Sequence, residues 1–161
     1  MWGGIPLKRG SADIGAIRLG LEVLETDTIL AVAPEGTRSG DGVLGKGHPG
    51  VVIMALRSGA PLLPMACCRH EGFWDNISHL RRTDFRIAVG QPFTLQANGV
   101  PVTREVRQQM IDEIMYQIAA LLPPSYRGVY ANLSAATETY LRFPATSESN
   151  LQRTLDRESS L

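Results

Sequence analysis

The chain is short of cysteine, lysine, aromatic residues and net charge, and each shortage excludes something. Its 161 residues include two cysteines, 6% aromatics, and 16 Lys+Arg against 16 Asp+Glu. Cys67 and Cys68 are adjacent in an apolar run, too close for an ordinary disulfide and without the Cys/His spacing of a zinc site. A disulfide-stapled scaffold and a zinc module are thereby excluded, and both thiols are expected to be buried in a reducing compartment. The even charge balance, with pI ≈ 6.8, provides no field that would attract nucleic acid, so no nucleic-acid partner is expected. No apolar run reaches the roughly 18 residues that a membrane span requires. The start, Met1-Trp2-Gly3-Gly4-Ile5-Pro6-Leu7, lacks the basic opening and long apolar stretch of a signal peptide. Lysine occurs only at 8 and 46, so arginine supplies the remaining 14 basic residues, a bias that reflects either codon usage or a preference for a group that grips phosphate with a fork of donors.

What is present suits one domain. At 43% hydrophobic the chain can bury one core and hardly two. Ile5-Pro6-Leu7 reads as a strand. Ser11 then caps a helix of about three turns with Ile14, Ile17, Leu21 and Leu24 on one face. Residues 28–33, an unbroken and partly β-branched apolar run, predict a strand covered on both faces. A Gly-rich loop, residues 40–47, leads to a buried helix that starts near Val51 and stops at Ser58-Gly59. Residues 62–68 predict a second buried strand. Residues 69–84 read as a loop or broken helix, on which Phe73 and Trp74 are expected to cap the core, contact with a membrane or an acyl chain being the alternative. Residues 85–89 predict a half-buried strand, and Thr103 caps a long helix whose apolar positions keep to one face until Pro123-Pro124. Residues 131–143 suggest a weaker helix, and 144–161, rich in Ser, Thr and charge, a disordered tail. Strands alternating with helices predict an α/β fold, a mostly parallel sheet with flanking helices, over residues 1–143.

The motif of most chemical content is Pro34-Glu35-Gly36-Thr37-Arg38-Ser39, at the carboxyl end of the first predicted buried strand, where open α/β sheets bind ligands. Arg38 can grip a phosphate bidentately with Thr37, Ser39 and backbone N–H groups, while Glu35 accepts from a substrate hydroxyl; the bland alternative is a Glu35–Arg38 pair in an ordinary turn. Gly40 to Lys46 imitates a nucleotide-binding P-loop, but Gly47 stands where Ser or Thr should bind Mg²⁺, and His48-Pro49-Gly50 delay the helix. His48, His70 and His79 do not have metal-site spacing and are expected at the surface without aspartate partners.

In order along the chain, these segments resemble the glycerolipid acyltransferase family, including the 1-acylglycerol-3-phosphate acyltransferases. Gly4-Ile5-Pro6-Leu7-Lys8-Arg9, followed by Asp13, is similar to the family's second motif, whose arginine contacts the acceptor's phosphate; Lys8 stands where an acidic residue is usual. Pro34-Glu35-Gly36-Thr37-Arg38-Ser39 matches the third motif without a gap. Leu44, Gly47 and the run to Ala55 resemble the segment and helix that follow it. Ala60-Pro61-Leu62-Leu63-Pro64-Met65 resembles the fourth, a proline-bracketed strand linked to donor binding or to shaping the site. Ile87 to Phe93 resembles a late strand and turn, so the likeness runs over roughly residues 4–122.

The resemblance implies transfer of a fatty acyl group from acyl-CoA or acyl carrier protein to the hydroxyl of a lysophospholipid or glycerol phosphate, in phospholipid biosynthesis, with no cofactor or metal. Arg9, Glu35, Gly36, Thr37, Arg38 and Ser39 are then expected to hold the acceptor, and Pro61 and Pro64 to shape the donor side. It further implies a cytoplasmic protein, peripheral to the inner face of the membrane. The family's first motif, a His with an Asp five positions later acting as general base, precedes the arginine strand. Only eight residues precede Arg9, and none is His. The expectation is therefore the carboxy-terminal part of an acyltransferase domain, without a catalytic residue and inactive alone. A non-catalytic phospholipid-binding module is the alternative. An edge left by a lost strand would expose apolar surface.

Overall fold

A computed structural model describes residues 4, 14–36, 42–69 and 72–159. Helix α1, Ile14–Leu24, packs against α2, Gly50–Ser58. The buried positions of α1 are Ala16 and Gly20 rather than the larger residues, because α2 approaches closely there: a Cβ on Gly20 would lie 2.8 Å from Met54 Sδ. Ile14 remains 78% exposed. Helix α2 buries Val51, Val52 and Ala55 and ends as expected at Gly59, whose φ of +66° lets its N–H close on Ala55 O at 2.9 Å.

Residues 28–33 do not form the predicted strand: none is in a ladder, none is fully buried, and Ile29 is 94% exposed. An apolar β-branched run becomes a strand only when a neighbour takes its N–H and C=O groups, and no described strand lies beside it.

Strand β1, Met65–Cys68, pairs with β2, Arg86–Val89, in register Met65↔Val89 to Cys68↔Arg86. This pairing corrects the expectation of parallel strands: it is antiparallel, and so is that of β3, Thr94–Leu95, with β4, Leu141–Arg142. The connection between β1 and β2 holds only a short helix, α3, Phe73–Ser78, and returns the chain to the same sheet edge in the opposite direction. Among the described residues the fold mixes helices with two small antiparallel sheets. Ala66 and Cys68 point into the core, whereas Met65, Cys67, Ile87 and Val89 are exposed on the other face. The expectation of two buried thiols thus holds for Cys68 alone. Nor do Phe73 and Trp74 cap the core; they are 41% and 78% exposed.

Helix α4, Arg104–Ala120, starts where Thr103 Oγ1 accepts from Val106 N, and it forms the centre of the molecule. Met110, Ile111, Met115 and Ala119 are fully buried, but so are Glu113 and Gln117 on another side, so the helix is enclosed over more than the single apolar face expected. Elements beyond it wrap that polar side. Residues 131–143 form a 3₁₀ turn and β4 instead of a helix.

The segment expected to be a disordered tail contains α5, Asn150–Ser159, packed on α4. Ser149 Oγ accepts from Gln152 N at 2.9 Å, capping the helix start. Asn150 bonds Gln117 and Gln91, Thr154 Oγ1 donates to Ala120 O, and the buried Arg127 pairs with Glu158 at 2.6 Å. Polar anchors together with Leu151 hold this helix, so its low mean hydropathy misleads.

Candidate functional site

The turn at Pro34, Glu35 and Gly36 closes on Ala33 O through Gly36 N at 3.0 Å, and Gly36 takes φ +68°. Two contacts fasten the turn to the loop that follows. His48 N donates to Pro34 O at 2.8 Å, and Gly45 N donates to Glu35 Oε2 at 2.7 Å. The Glu35 carboxylate is thus oriented by the backbone of a neighbouring loop. Its Oε1 makes no hydrogen bond among the described residues and is available to a ligand hydroxyl. Beside it, the His48 ring lies against Gly36: a Cβ there would come 3.1 Å from His48 Cδ2. The glycine keeps both the turn and the space beside the imidazole.

The structure places Glu35 and Gly36 together. Arg9, Thr37, Arg38 and Ser39 lie outside the described residues, as do Ser11 and the predicted strand at residues 5–7. Pro61 and Pro64 diverge. Pro61 lines a small cavity of about 60 Å³ with Leu30, Val32 and Val51, and Pro64 is buried, its carbonyl accepting from Gly90 N at 2.9 Å. Neither proline shares a described cavity with Glu35.

The loop itself is seated firmly. Gly47 N donates to Tyr130 Oη at 3.1 Å, and Tyr130 in turn donates to Asp112 Oδ1 at 2.9 Å. Burial, ahead of the neighbouring Asp112 carboxylate, pushes the Tyr130 phenol up to about 12. Gly47 also packs on α4, where a Cβ would sit 2.6 Å from Met115 Cγ. Beyond this contact a groove of about 910 Å³ opens between α4 and residues 129–137, lined among others by Arg104, Asp112, Tyr116, Tyr130 and Thr137, with Lys46 of the loop at its side. No motif announced it, because its walls come from segments far apart in sequence.

A spacing signal also passed unused. His70 and Asp75, and again His79 and Asp84, are separated by four residues, the His-x4-Asp spacing of the general-base motif, although both lie after the fourth motif segment. The structure makes no dyad of the second pair: Asp84 pairs with Arg82 at 2.7 Å, while His79 Nδ1 turns to the Asp75 carbonyl at 2.8 Å and to Asp75 Oδ1 at 3.7 Å. His79 therefore has an aspartate neighbour, contrary to expectation. Both side chains are mostly exposed, without the burial by which an aspartate fixes a catalytic imidazole. His70 lies outside the described residues.

Among the described residues no group of three or more His, Cys, Asp and Glu could hold a metal ion, and no helix is long and apolar enough to cross a membrane. Residues 1–68 match the model of the acyltransferase family. That stretch includes the Glu35 turn, Pro61 and Pro64, and ends before α4. No curated protein and no solved structure matches the chain. The family match supports an acyltransferase.

Proposed function

We propose that the chain serves acyl transfer from an acyl thioester, acyl-CoA or acyl carrier protein, to the hydroxyl of a lysophospholipid or glycerol phosphate, and that residues 34–39 form its acceptor site. The observation that carries this reading is the Glu35 carboxylate, clamped through Oε2 to Gly45 N with Oε1 left over, inside the stretch that matches the acyltransferase family. Glu35 Oε1 accepts from an acceptor hydroxyl, and Arg38 and Arg9 hold its phosphate. The glycerol hydroxyl then approaches the thioester carbonyl in a fixed geometry. The attacking hydroxyl must also lose its proton. A general base is typically worth about 10²–10⁴-fold, and none of the residues assigned to the acceptor site takes that role. What these residues supply is acceptor binding and positioning. At a membrane surface, the exposed Phe73, Trp74 and Ile77 of α3 are the residues we place against lipid.

Titration of the purified chain with sn-glycerol 3-phosphate and lysophosphatidate, followed by a radiolabelled acyl-CoA transfer assay, tests this. Expected is saturable acceptor binding that Glu35→Ala and Arg38→Ala each weaken, with little turnover. Absence of acceptor binding, or binding indifferent to both substitutions, refutes the acceptor site.

A further inference from the structure

The backbone of residues 44–48 is fastened on two sides. Gly45 N donates to Glu35 Oε2 at 2.7 Å and His48 N to Pro34 O at 2.8 Å, both toward the acceptor turn. The other contacts go to residues 126–130. Leu44 N donates to Tyr126 O at 2.9 Å, Leu44 O accepts from Val129 N at 3.3 Å, and Gly47 N donates to Tyr130 Oη at 3.1 Å. The amide that orients Glu35 is therefore bracketed by two residues, Leu44 and Gly47, that are tied to a segment more than 80 positions away in the chain.

That segment is itself anchored in the body of the protein. It comprises the end of one 3₁₀ turn, Pro124–Tyr126, and the whole of another, Gly128–Tyr130. Arg127, 4% exposed, donates from Nε to Leu122 O at 3.1 Å and from Nη2 to Glu158 of α5 at 2.6 Å. Tyr130 is as deeply buried, donates to Asp112 of α4 and sets its ring edge-on against Tyr116. Loop and segment also meet without a side chain between them: Gly128 takes φ +51°, and a Cβ there would collide with Leu44 O.

A donor on a free loop would follow the Glu35 carboxylate; only a donor that is held can hold it. A carboxylate oriented beforehand gives up less freedom when a ligand hydroxyl arrives, and a shift of about 1 Å in a positioning contact can cost up to about a hundredfold in rate. Residues 126–130 lie beyond the stretch, 1–68, that matches the acyltransferase family, so the match assigns them nothing. We propose that residues 126–130 are a brace for the acceptor turn, in which the Tyr130 hydroxyl and the bare Gly128 keep the Gly45 amide on Glu35. The inference rests on the acceptor reading of residues 34–39. Tyr130 and Gly128 are positioning residues, acting on the acceptor through the loop.

Tyr130→Phe removes the hydroxyl and leaves the ring against Tyr116; Gly128→Ala pushes Leu44 off the segment. Ser149→Ala removes the cap at the start of α5, the opposite end of that helix from Glu158, and serves as a control for lowered stability alone. Each full chain is examined by proton–nitrogen correlation spectra, read at the Gly45 amide, and by isothermal titration with sn-glycerol 3-phosphate. Glu35→Ala marks where the Gly45 resonance lies without a carboxylate partner. Tyr130→Phe and Gly128→Ala are expected to move that resonance toward the Glu35→Ala position and to weaken glycerol 3-phosphate binding about tenfold, roughly what the regained rotamer freedom of one glutamate implies. Ser149→Ala should do neither. A Gly45 resonance unmoved in Tyr130→Phe overturns the brace. So does binding that Glu35→Ala weakens and Tyr130→Phe does not, or a Ser149→Ala chain in which Gly45 moves as far. Failure of the acceptor reading looks different: the parent chain then binds no glycerol 3-phosphate while Gly45 still answers to Tyr130→Phe, which removes the acceptor and with it this role of the segment.

Discussion

Replacing Glu113 should destabilise the protein strongly, and by an amount the structure apportions between its two oxygens. The side chain is 1% exposed and accepts from four donors, two of them the backbone N–H groups of Thr139 and Tyr140. Glu113→Ala strands those two donors and the Thr137 hydroxyl. At about 1–3 kcal/mol for each buried group left unsatisfied, with some relief from entering water, the loss is roughly 3–5 kcal/mol. That is a large part of an ordinary total of about 5–15 kcal/mol, and it lowers Tm by roughly 6–20 °C in a chain of this size. Glu113→Gln is different. Its carbonyl oxygen can take the Oε1 position and keep Gln109, Thr137 and Thr139 N, while its NH₂ opposes only Tyr140 N. One lost acceptor costs about 1–3 kcal/mol. Urea denaturation of the three proteins, read by far-UV circular dichroism, decides it. An alanine variant less than about 1 kcal/mol below the parent, or a glutamine variant as unstable as the alanine one, refutes the account of Glu113 as the fastening of residues 137–140 to α4.

Three other perturbations probe different contacts. Gly47→Ala puts a methyl within 2.6 Å of Met115 Cγ and 2.7 Å of Ile111 Cγ1, both in the buried core, and should cost about 1–3 kcal/mol in urea denaturation; an unchanged midpoint would show that the loop does not sit on α4. The Tyr130 phenol, raised from 10.0 to about 12 in the folded chain, keeps its proton where the unfolded chain loses it, so stability is intact below about pH 10 and falls as pH rises toward about 12. Tyr130→Phe should lose that alkaline slope in thermal melts, at the cost of leaving Gly47 N without its acceptor. In a Trp2→Phe background, Trp74 fluorescence should shift to the blue with vesicles containing phosphatidylglycerol if α3 enters the lipid interface, and an unmoved spectrum would count against that contact.

Local signals were legible wherever a residue settles its own surroundings. Thr103, with a hydroxyl three residues before an N–H in need of an acceptor, marked the start of α4 correctly, and Gly59 marked the end of α2 because a left-handed cap suits glycine. Ser149 caps α5 in the same way, within a stretch whose low mean hydropathy suggests no packed helix. What composition could not show is that Asn150, Thr154 and Glu158 each meet a partner 31 to 34 residues away. The expected strand at residues 28–33 is absent for a related reason. Val, Ile and Leu at residues 28–33 express a preference for pleated surface, and whether a ladder forms depends on a neighbour that the run itself does not specify.

The candidate site shows the same division between a residue's type and its neighbours. Residues 34–39 stood out through their gapless likeness to the third motif, since composition alone serves an ordinary turn as well. The sequence had no means of saying that Gly45, ten residues on, would take one oxygen of Glu35 and leave the other.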